Sequence, residues 1–373
     1  KRYYYIGANY WYGALLGLQK DPVRGKARLI KELDFLKSKG VNNLRIMAGS
    51  EGKGLINGVD RVKPALQPER GVFDPEILKG LDYLLYEMGK RNMYAVLYLS
   101  NNWEWSGGFL QYLNWNKQLD DTTMQSKMNW DKLRDNTSKF YTCDPCMQDY
   151  RKQLIHILKH VNPYTKRSYI NEPAIMAWEL ANEPRPMRTE AVGAYKAWTA
   201  STAAYIKSLD NNHLVTLGTE GYMGTDDSPE LFKEIHLPVQ VDYLTIHIWP
   251  KNWQWFSDTS IVKGLPAVIS KTQDYIDQHA AVAKQLNKPL VIEEFGLPRD
   301  MHSFDPAQST NARDIYYSAI FSKLLVSKQA GGIIGGCNFW AFGGTARPQT
   351  GQLLWKDGDD FTGDPPQEEQ GLN

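Results

Sequence analysis

The alternation of short β-rich runs with helical stretches constrains this chain more than any other feature. The β-rich runs fall at Tyr5–Asn9, Asn43–Met47, Tyr94–Leu99, Ile175–Leu180, Leu214–Gly218, Tyr243–His247, Leu290–Glu294 and Ile334–Trp340. Stretches of helical period separate most of them. Arg24–Lys39 places Leu29, Leu33 and Leu36 on one face and stops at Gly40; Pro75–Arg91 does the same with Ile77, Leu81, Leu84, Leu85 and Met88. Further such stretches cover Gln148–His160, Thr189–Leu209, Lys271–Leu286 and Asn311–Lys328. Eight strands alternating with helices predict an α/β fold, a (β/α)8 TIM barrel, with residues 1–373 as one domain. A doubly wound open sheet would want a Gly-rich phosphate turn after the first strand, and the chain from Gly7 to Gly13 does not supply one. After Trp340 no closing helix is visible, only a polar tail from Arg347 to Asn373 with Pro and Gly. The barrel is therefore expected to lack its last helix or to close with irregular chain.

In such a barrel the segments after each strand open on the C-terminal face, where active sites form. Three are long: Ser100–Met147, Trp249–Pro266 and Ala341–Asn373. Trp103, Trp105 and Trp115 fall in the first, and Trp249, Trp253 and Trp255 in the second. Much of the content of 12 Trp and 21 Tyr must serve the core. Tryptophans on loops, however, are costly to expose unless they stack on a flat apolar partner, and sugar rings are such partners. A net charge of +1 argues against nucleic acid or an anionic membrane as the main partner. Apolar runs are strand-sized, short of the roughly 20 residues of a membrane span. Cys143 and Cys146 read as a local disulfide or two idle thiols rather than a metal site, since no second pair follows at ligand spacing; Cys337 reads as buried packing.

The residues at the strand ends are Asn9, Trp11, Arg45, Asn101, Asn102, Trp103, Asn182, Glu183, Glu220, His247, Glu293, Glu294 and Trp340. They are rich in carboxylates, amides and aromatics and hold neither metal-ligand spacing nor a serine nucleophile elbow. Glu183 follows the fourth strand and Glu294 ends the seventh, so the two would face each other across the barrel mouth. Cleavage of a glycosidic bond needs such a pair, one acid to protonate the leaving oxygen and one carboxylate to attack the anomeric carbon. A single glutamate at a strand end is more often a cap or surface ion pair; two, accompanied by Asn, Arg, His and Trp, are harder to dismiss. Arg45 would hold Glu294 ionised, and the charge on Glu294 would raise Glu183. Strand alternation turns Glu293 away from Glu294, towards the helices, and leaves Glu179 inside its strand as a buried partner for Arg45. His247 could equally be a core histidine, and Trp340 either core or a floor under a sugar ring.

With these residues in place the sequence resembles glycoside hydrolase family 5, and within it the β-1,4-mannan-degrading subfamily, over nearly its whole length. The motifs are Asn182-Glu183-Pro184-Arg185 and Glu293-Glu294-Phe295-Gly296, supported by Asn43–Ile46, Ser100–Gly108, His247–Pro250 and Phe339-Trp340-Ala341. The resemblance implies a retaining double displacement without metal or other cofactor, Glu183 as acid/base and Glu294 as nucleophile. It also implies substrate-binding roles: Asn182 on the carbon-2 hydroxyl, Arg45 orienting Glu294, His247 in the reacting subsite and Trp340 beneath the sugar. Arg185 would lie on the leaving-group side, with Asn101 and Trp103 in the cleft wall. Many relatives carry Tyr where this chain has Trp249, which is expected to form a substrate wall instead; their histidine after strand three is replaced by Asn101 and Asn102.

The expected function is retaining hydrolysis of β-1,4-mannosidic bonds in mannan, glucomannan or galactomannan, with internal cutting slightly favoured. The alternatives are an exo-acting β-mannosidase or mannobiohydrolase, a β-1,4-glucanase, and a non-catalytic glycan-binding barrel that should have lost a carboxylate. The expected partners are β-mannan or manno-oligosaccharides, the expected state a monomer, and the expected location secreted, periplasmic or cell-surface, although no leader is visible.

Overall fold

The computed structural model describes residues 3–18, 22–256, 261–303, 305, 307–344, 346, 360–365 and 369–371. Its centre is an eight-stranded parallel sheet made of β1 (Tyr5–Asn9), β2 (Asn43–Met47), β3 (Tyr94–Tyr98), β4 (Ile175–Glu179), β5 (Leu214–Thr216), β6 (Leu244–Ile248), β7 (Leu290–Phe295) and β8 (Ile334–Phe339). The order β5-β4-β3-β2-β1-β8-β7-β6 runs right round the ring. The last junction, between β5 and β6, has no regular ladder. It is bridged by Asp242 N–H to Val215 O at 2.8 Å and His247 N–H to Glu220 O at 3.1 Å. Hydroxyls add Thr216 Oγ1 to Tyr243 O at 3.0 Å and Thr245 Oγ1 to Thr219 O at 2.9 Å. The sheet is thus the expected TIM barrel, with strand ends within a residue or two of those read from the sequence.

Alternation along the strands builds two environments. Leu44, Ile46, Leu97 and Trp178 pack outward against the helices, while Tyr5, Val96, Ala177, Tyr243 and Val291 form a separate apolar plug inside the ring. One step up the same inward face stand Arg45, Tyr98, Glu179 and Glu293, all without solvent exposure. An apolar floor therefore carries a buried polar layer, and the active-site mouth lies above it.

The helices α1 (Pro22–Ser38) and α2 (Pro75–Lys90) follow β1 and β2. α2 starts where the sequence supplies a start, with Pro75 in its first turn and Asp74 accepting from Glu76 N–H at 2.9 Å. The long segment after β3, for which the sequence reading named no helix before Gln148, is largely helical. It holds α3 (Gly108–Trp115), α4 (Asp121–Gln125) and α5 (Trp130–Thr137) before α6 (Asp144–Leu158). Asp120 and Asn129 cap α4 and α5, each accepting a backbone N–H at 2.8 Å. α7 (Val192–Leu209), α8 (Pro229–His236), α9 (Ile261–Leu286) and α10 (Asn311–Gln329) complete the outer layer, α8 being a further helix absent from the sequence reading. Cys143 and Cys146 form a disulfide at the start of α6, and Cys337 is buried and free.

Two buried charges weld the β3 segment to the barrel. Glu51, after β2, accepts from Ser100 Oγ (3.0 Å), Gly108 N–H (2.9 Å), Tyr112 OH (3.1 Å) and Gln153 Nε2 (2.6 Å). Arg61 donates to Glu51 O at 2.9 Å and Gly54 O at 3.0 Å. Of the tail, residues 347–359, 366–368, 372 and 373 lie outside the described residues, so the expected missing helix is not judged. The described pieces fold back over the mouth: Trp11 Nε1 donates to Thr362 O at 3.1 Å and Arg28 Nη2 to Phe361 O at 2.9 Å.

Replacing Glu51 with Leu strips four buried donors of their acceptor. The expected cost is about 3 kcal/mol of unfolding free energy, measured by urea denaturation, with little effect on KM in the molecules that remain folded.

Candidate active site

A cleft of about 550 Å³ opens on the C-terminal face of the barrel, lined by Trp103, Trp105, Trp130, Trp249, Trp253 and Trp340 together with Asn182, Glu183, Arg185, Glu220 and Glu294. Glu183 lies four residues beyond β4 and takes φ 52°, a left-handed backbone that non-glycine residues hold only where surroundings enforce it. Its N–H is fixed to Gly218 O at 2.9 Å, which turns the side chain into the cleft. Glu294 arrives from β7 on a bulge: Ile246 pairs with Ile292 but His247 with Glu294, so β7 carries one residue more than β6 here. Oxygens of Glu183 and Glu294 come within 4.8 Å of each other.

Arg45 sits beneath them, fully buried. It donates to Glu179 from Nε at 2.8 Å and Nη2 at 2.5 Å, to Asn182 Oδ1 at 2.7 Å, to Asn9 Oδ1 at 3.1 Å, and to Glu294 Oε1. Its guanidinium lies 4.8 Å over the Tyr98 ring. His247 is equally buried, its Nδ1 2.6 Å from Glu183 Oε1 and 3.3 Å from Glu294 Oε2. Glu183 also accepts from the Trp103 indole N–H. Asn101 supports Asn182, accepting from its Nδ2 at 3.1 Å. Arg185 pairs with Glu220, Nη2 to Oε1 at 2.6 Å, and stacks 5.0 Å over Trp103. Trp340 donates to Asp364 Oδ1 at 2.8 Å and meets Trp249 edge-on at 6.1 Å.

The residues singled out in the sequence thus converge, but not all on the cleft surface. Trp103, Asn182, Arg185, Trp249 and Trp340 line it with Glu183 and Glu294, whereas Arg45, Asn101 and His247 have no exposed surface and act from behind. Of the loop tryptophans, Trp115 packs on Tyr112 and Trp255 on Trp253 and Tyr275, away from the cleft. Glu293 requires correction. It is not turned towards the helices but stands inside the barrel, 3.7 Å from both Arg45 Nε and His247 Nε2, two residues on from Val291 of the inner plug; the bulge is what brings Glu294 to the same side. Sequence reasoning missed Trp130, Asn252, Asp364 and Gln370, which enter the cleft from remote segments without a motif of their own. Among the described residues Glu183, His247 and Glu294 are the set that could hold a metal ion; their mutual contacts suit a shared proton equally well.

A model of the glycoside hydrolase family 5 β-mannosidase-like group matches residues 1–373. The chain belongs to glycoside hydrolase family 5. It is 30% identical over 345 residues to mannan endo-1,4-β-mannosidase 5 of Solanum lycopersicum, covering 89% of this chain and 75% of that one. The structure of a family 5 mannosidase from Rhizomucor miehei superposes with a TM-score of 0.86 at 30% identity, over 99% of this chain and 88% of the other. The endo-1,4-β-D-mannanase of Thermotoga petrophila superposes at 0.68 and 25% identity, over 96% and 94% of the two chains. A variant of the Rhizomucor mannosidase has been crystallised with mannosyl-fructose.

In this family 5 hydrolase the site electrostatics differ from the sequence expectation. Burial opposes a charge on His247, but the charge of Glu294, the hydrogen bond to Glu183 and the nearby Glu293 carboxyl group outweigh it and push the imidazole up to about 10. Burial alone would raise Glu183. The hydrogen bond and charge of His247, with help from Arg185 and Trp103, instead draw it down to about 2. Glu183 is therefore drawn down rather than raised, since His247 bonds it and stands between it and Glu294. Burial raises Glu294 to about 7, against the pull of His247 and Arg45, so Arg45 alone does not keep it fully ionised.

Arg45→Lys offers one ammonium where five donors are used, and cannot serve Glu179, Asn182 and Glu294 together. The expected result is a fall in kcat of about 100-fold or more, followed on an aryl glycoside, with a change in KM of only a few-fold.

Proposed function

We propose that this family 5 hydrolase cleaves β-1,4-mannosidic bonds with retention of anomeric configuration, Glu183 serving as acid/base and Glu294 as nucleophile. The observation that carries the mechanism is the separation of the two carboxylates. One oxygen of each lies within 4.8 Å of an oxygen of the other, an approach that fits the roughly 5–5.5 Å of retaining pairs better than the roughly 6.5–9.5 Å that leaves room for a water in inverting ones. In the first step Glu294 attacks the anomeric carbon while a proton reaches the departing oxygen through Glu183. In the second, Glu183 takes a proton from the water that releases the sugar from Glu294. Asn182, held by Arg45 and Asn101, is placed to bind the hydroxyl on carbon 2, a contact that strengthens as positive charge develops. The mannan preference is supported by the relatives named above.

The reading favoured here for the mode of attack is release from a chain end, in place of the slight leaning to internal cutting taken from the sequence. The tail brings Asp364 and Gln370 into the cleft lining beside Trp340, and Gln370 bonds Asn252 of the segment after β6. Tail and loop are thereby joined on that side, which favours a pocket over a through-running groove. The higher TM-score to the Rhizomucor mannosidase supports the same reading. The endo reading keeps the support of the plant mannanases.

The test is a product profile on mannohexaose and polymeric mannan with the anomer followed by proton NMR. Mannose or mannobiose should be the early product and should first appear as the β anomer. A ladder of oligomers would overturn the end-wise reading, and an α product the retaining one. Glu183→Ala and Glu294→Ala should each lose turnover of mannan by at least about 1,000-fold, which a glycan-binding barrel would not show.

A further inference from the structure

Glu293 is the buried carboxyl group that the acid/base scheme leaves unused. It has no exposed surface, and neither of its oxygens has a hydrogen-bond partner. It shares the inner face of β7 with Val291 and lies under the reacting pair, with Oε2 3.7 Å from His247 Nε2 and 3.7 Å from Arg45 Nε. The other groups facing it are Tyr5 from β1, Glu179 from β4 and Tyr243 from β6, while Tyr98 from β3 lies against Arg45. His247 in turn faces Glu183 beyond β4, Glu220 beyond β5, and Glu294 on β7.

The two nitrogens of His247 see different surroundings. Nδ1 touches Glu183 and Glu294 at 2.6 and 3.3 Å, whereas Nε2 is buried without a hydrogen-bond partner and turns towards Glu293. We propose that Glu293 is a positioning residue for the acid/base step: it keeps the Nε2 proton of His247 in place, so that Nδ1 is the atom that hands a proton to Glu183 and takes it back. The inference rests on Glu183 being the acid/base. When the leaving group departs, the Nδ1–H bond breaks and an O–H bond forms on Glu183 across 2.6 Å, while Glu183 delivers a proton to the glycosidic oxygen. His247 is left neutral, its remaining N–H on Nε2 and facing Glu293. When water attacks the glycosyl-enzyme, Glu183 takes the water's proton and Nδ1 recovers one, so the cycle closes without net gain. A carboxylate behind an imidazole sets tautomer and orientation in hydrolytic triads and metal sites. In this barrel the regular alternation of β7, one step above Val291, puts such a group inside the ring.

Glu293→Gln keeps the size of the side chain and removes its charge. The comparison uses kcat/KM for mannobiose, whose leaving group must be protonated, and for dinitrophenyl β-mannoside, whose leaving group needs no acid. The expected loss is about tenfold larger on mannobiose than on the aryl mannoside. The alkaline limb of the mannobiose profile should also move to lower pH, because a group that raised His247 has been weakened. Equal losses on the two substrates with an unmoved alkaline limb would overturn the inference, and so would no loss on either. If the glutamine variant does not fold, Glu293→Asp carries the same comparison; if it does, the aspartate should recover part of the split. Glu183→Ala tests the underlying reading separately. Azide should restore its turnover of the aryl mannoside and give the β-mannosyl azide. No rescue would remove the acid/base reading itself, whereas rescue beside equal losses in Glu293→Gln would sink only the role of Glu293.

Discussion

A guanidinium cannot be taken out of water unless it is neutralised where it stands, and the site of this enzyme is arranged around that requirement. Arg45 is fully buried on the inner face of β2, and its donors reach Asn9, Glu179, Asn182 and Glu294 at the ends of three other strands, β1, β4 and β7. Each acceptor is thereby fixed relative to the others with a side chain whose planar fork leaves little slack. Glu294 and Asn182 are held by one cation, so their spacing follows from its shape. The apolar plug of Tyr5, Val96, Ala177, Tyr243 and Val291 keeps water from reaching this layer from below.

The second cation, His247, changes what the two glutamates are. Without it two carboxylates this close would repel, and one would hold a proton at ordinary pH. With His247 between them, both stand as partners of a shared charge, the imidazole pushed up and Glu183 drawn down. Binding of a sugar, which brings an oxygen to Glu183 and displaces solvent, is the event that can redistribute it. Acid and base roles then belong to the cluster and its occupant together rather than to an isolated side chain.

What was legible in the sequence was whatever follows a period. The eight strands alternate apolar inward and outward or run apolar throughout, and that pattern depends only on local order. Glu183 and Glu294 were legible because strand ends are where a barrel displays function. Glu293 was misread because strict alternation lets only one of two successive residues face inward; a bulge admits both, and nothing local in Leu290–Phe295 announces it. The helices of the β3 segment were passed over because α3, α4 and α5 are 8, 5 and 8 residues long, too short to establish a helical period, although Asp120 and Asn129 stand as caps before two of them. Asp364 and Gln370 could not be found at all, since their place in the cleft depends on how a distant tail folds back.

The junction between β5 and β6 is held by a few backbone bonds and threonine hydroxyls rather than by a continuous ladder. Glu183 stands on one bank of that gap and His247 on the other, while Arg45 and Glu294 are joined across the opposite side of the ring. Breathing of the barrel would be felt first at this join. Its opening would part His247 from Glu183 while leaving Glu294 clamped to Arg45. Closure of the barrel and readiness for proton transfer are in that sense the same event.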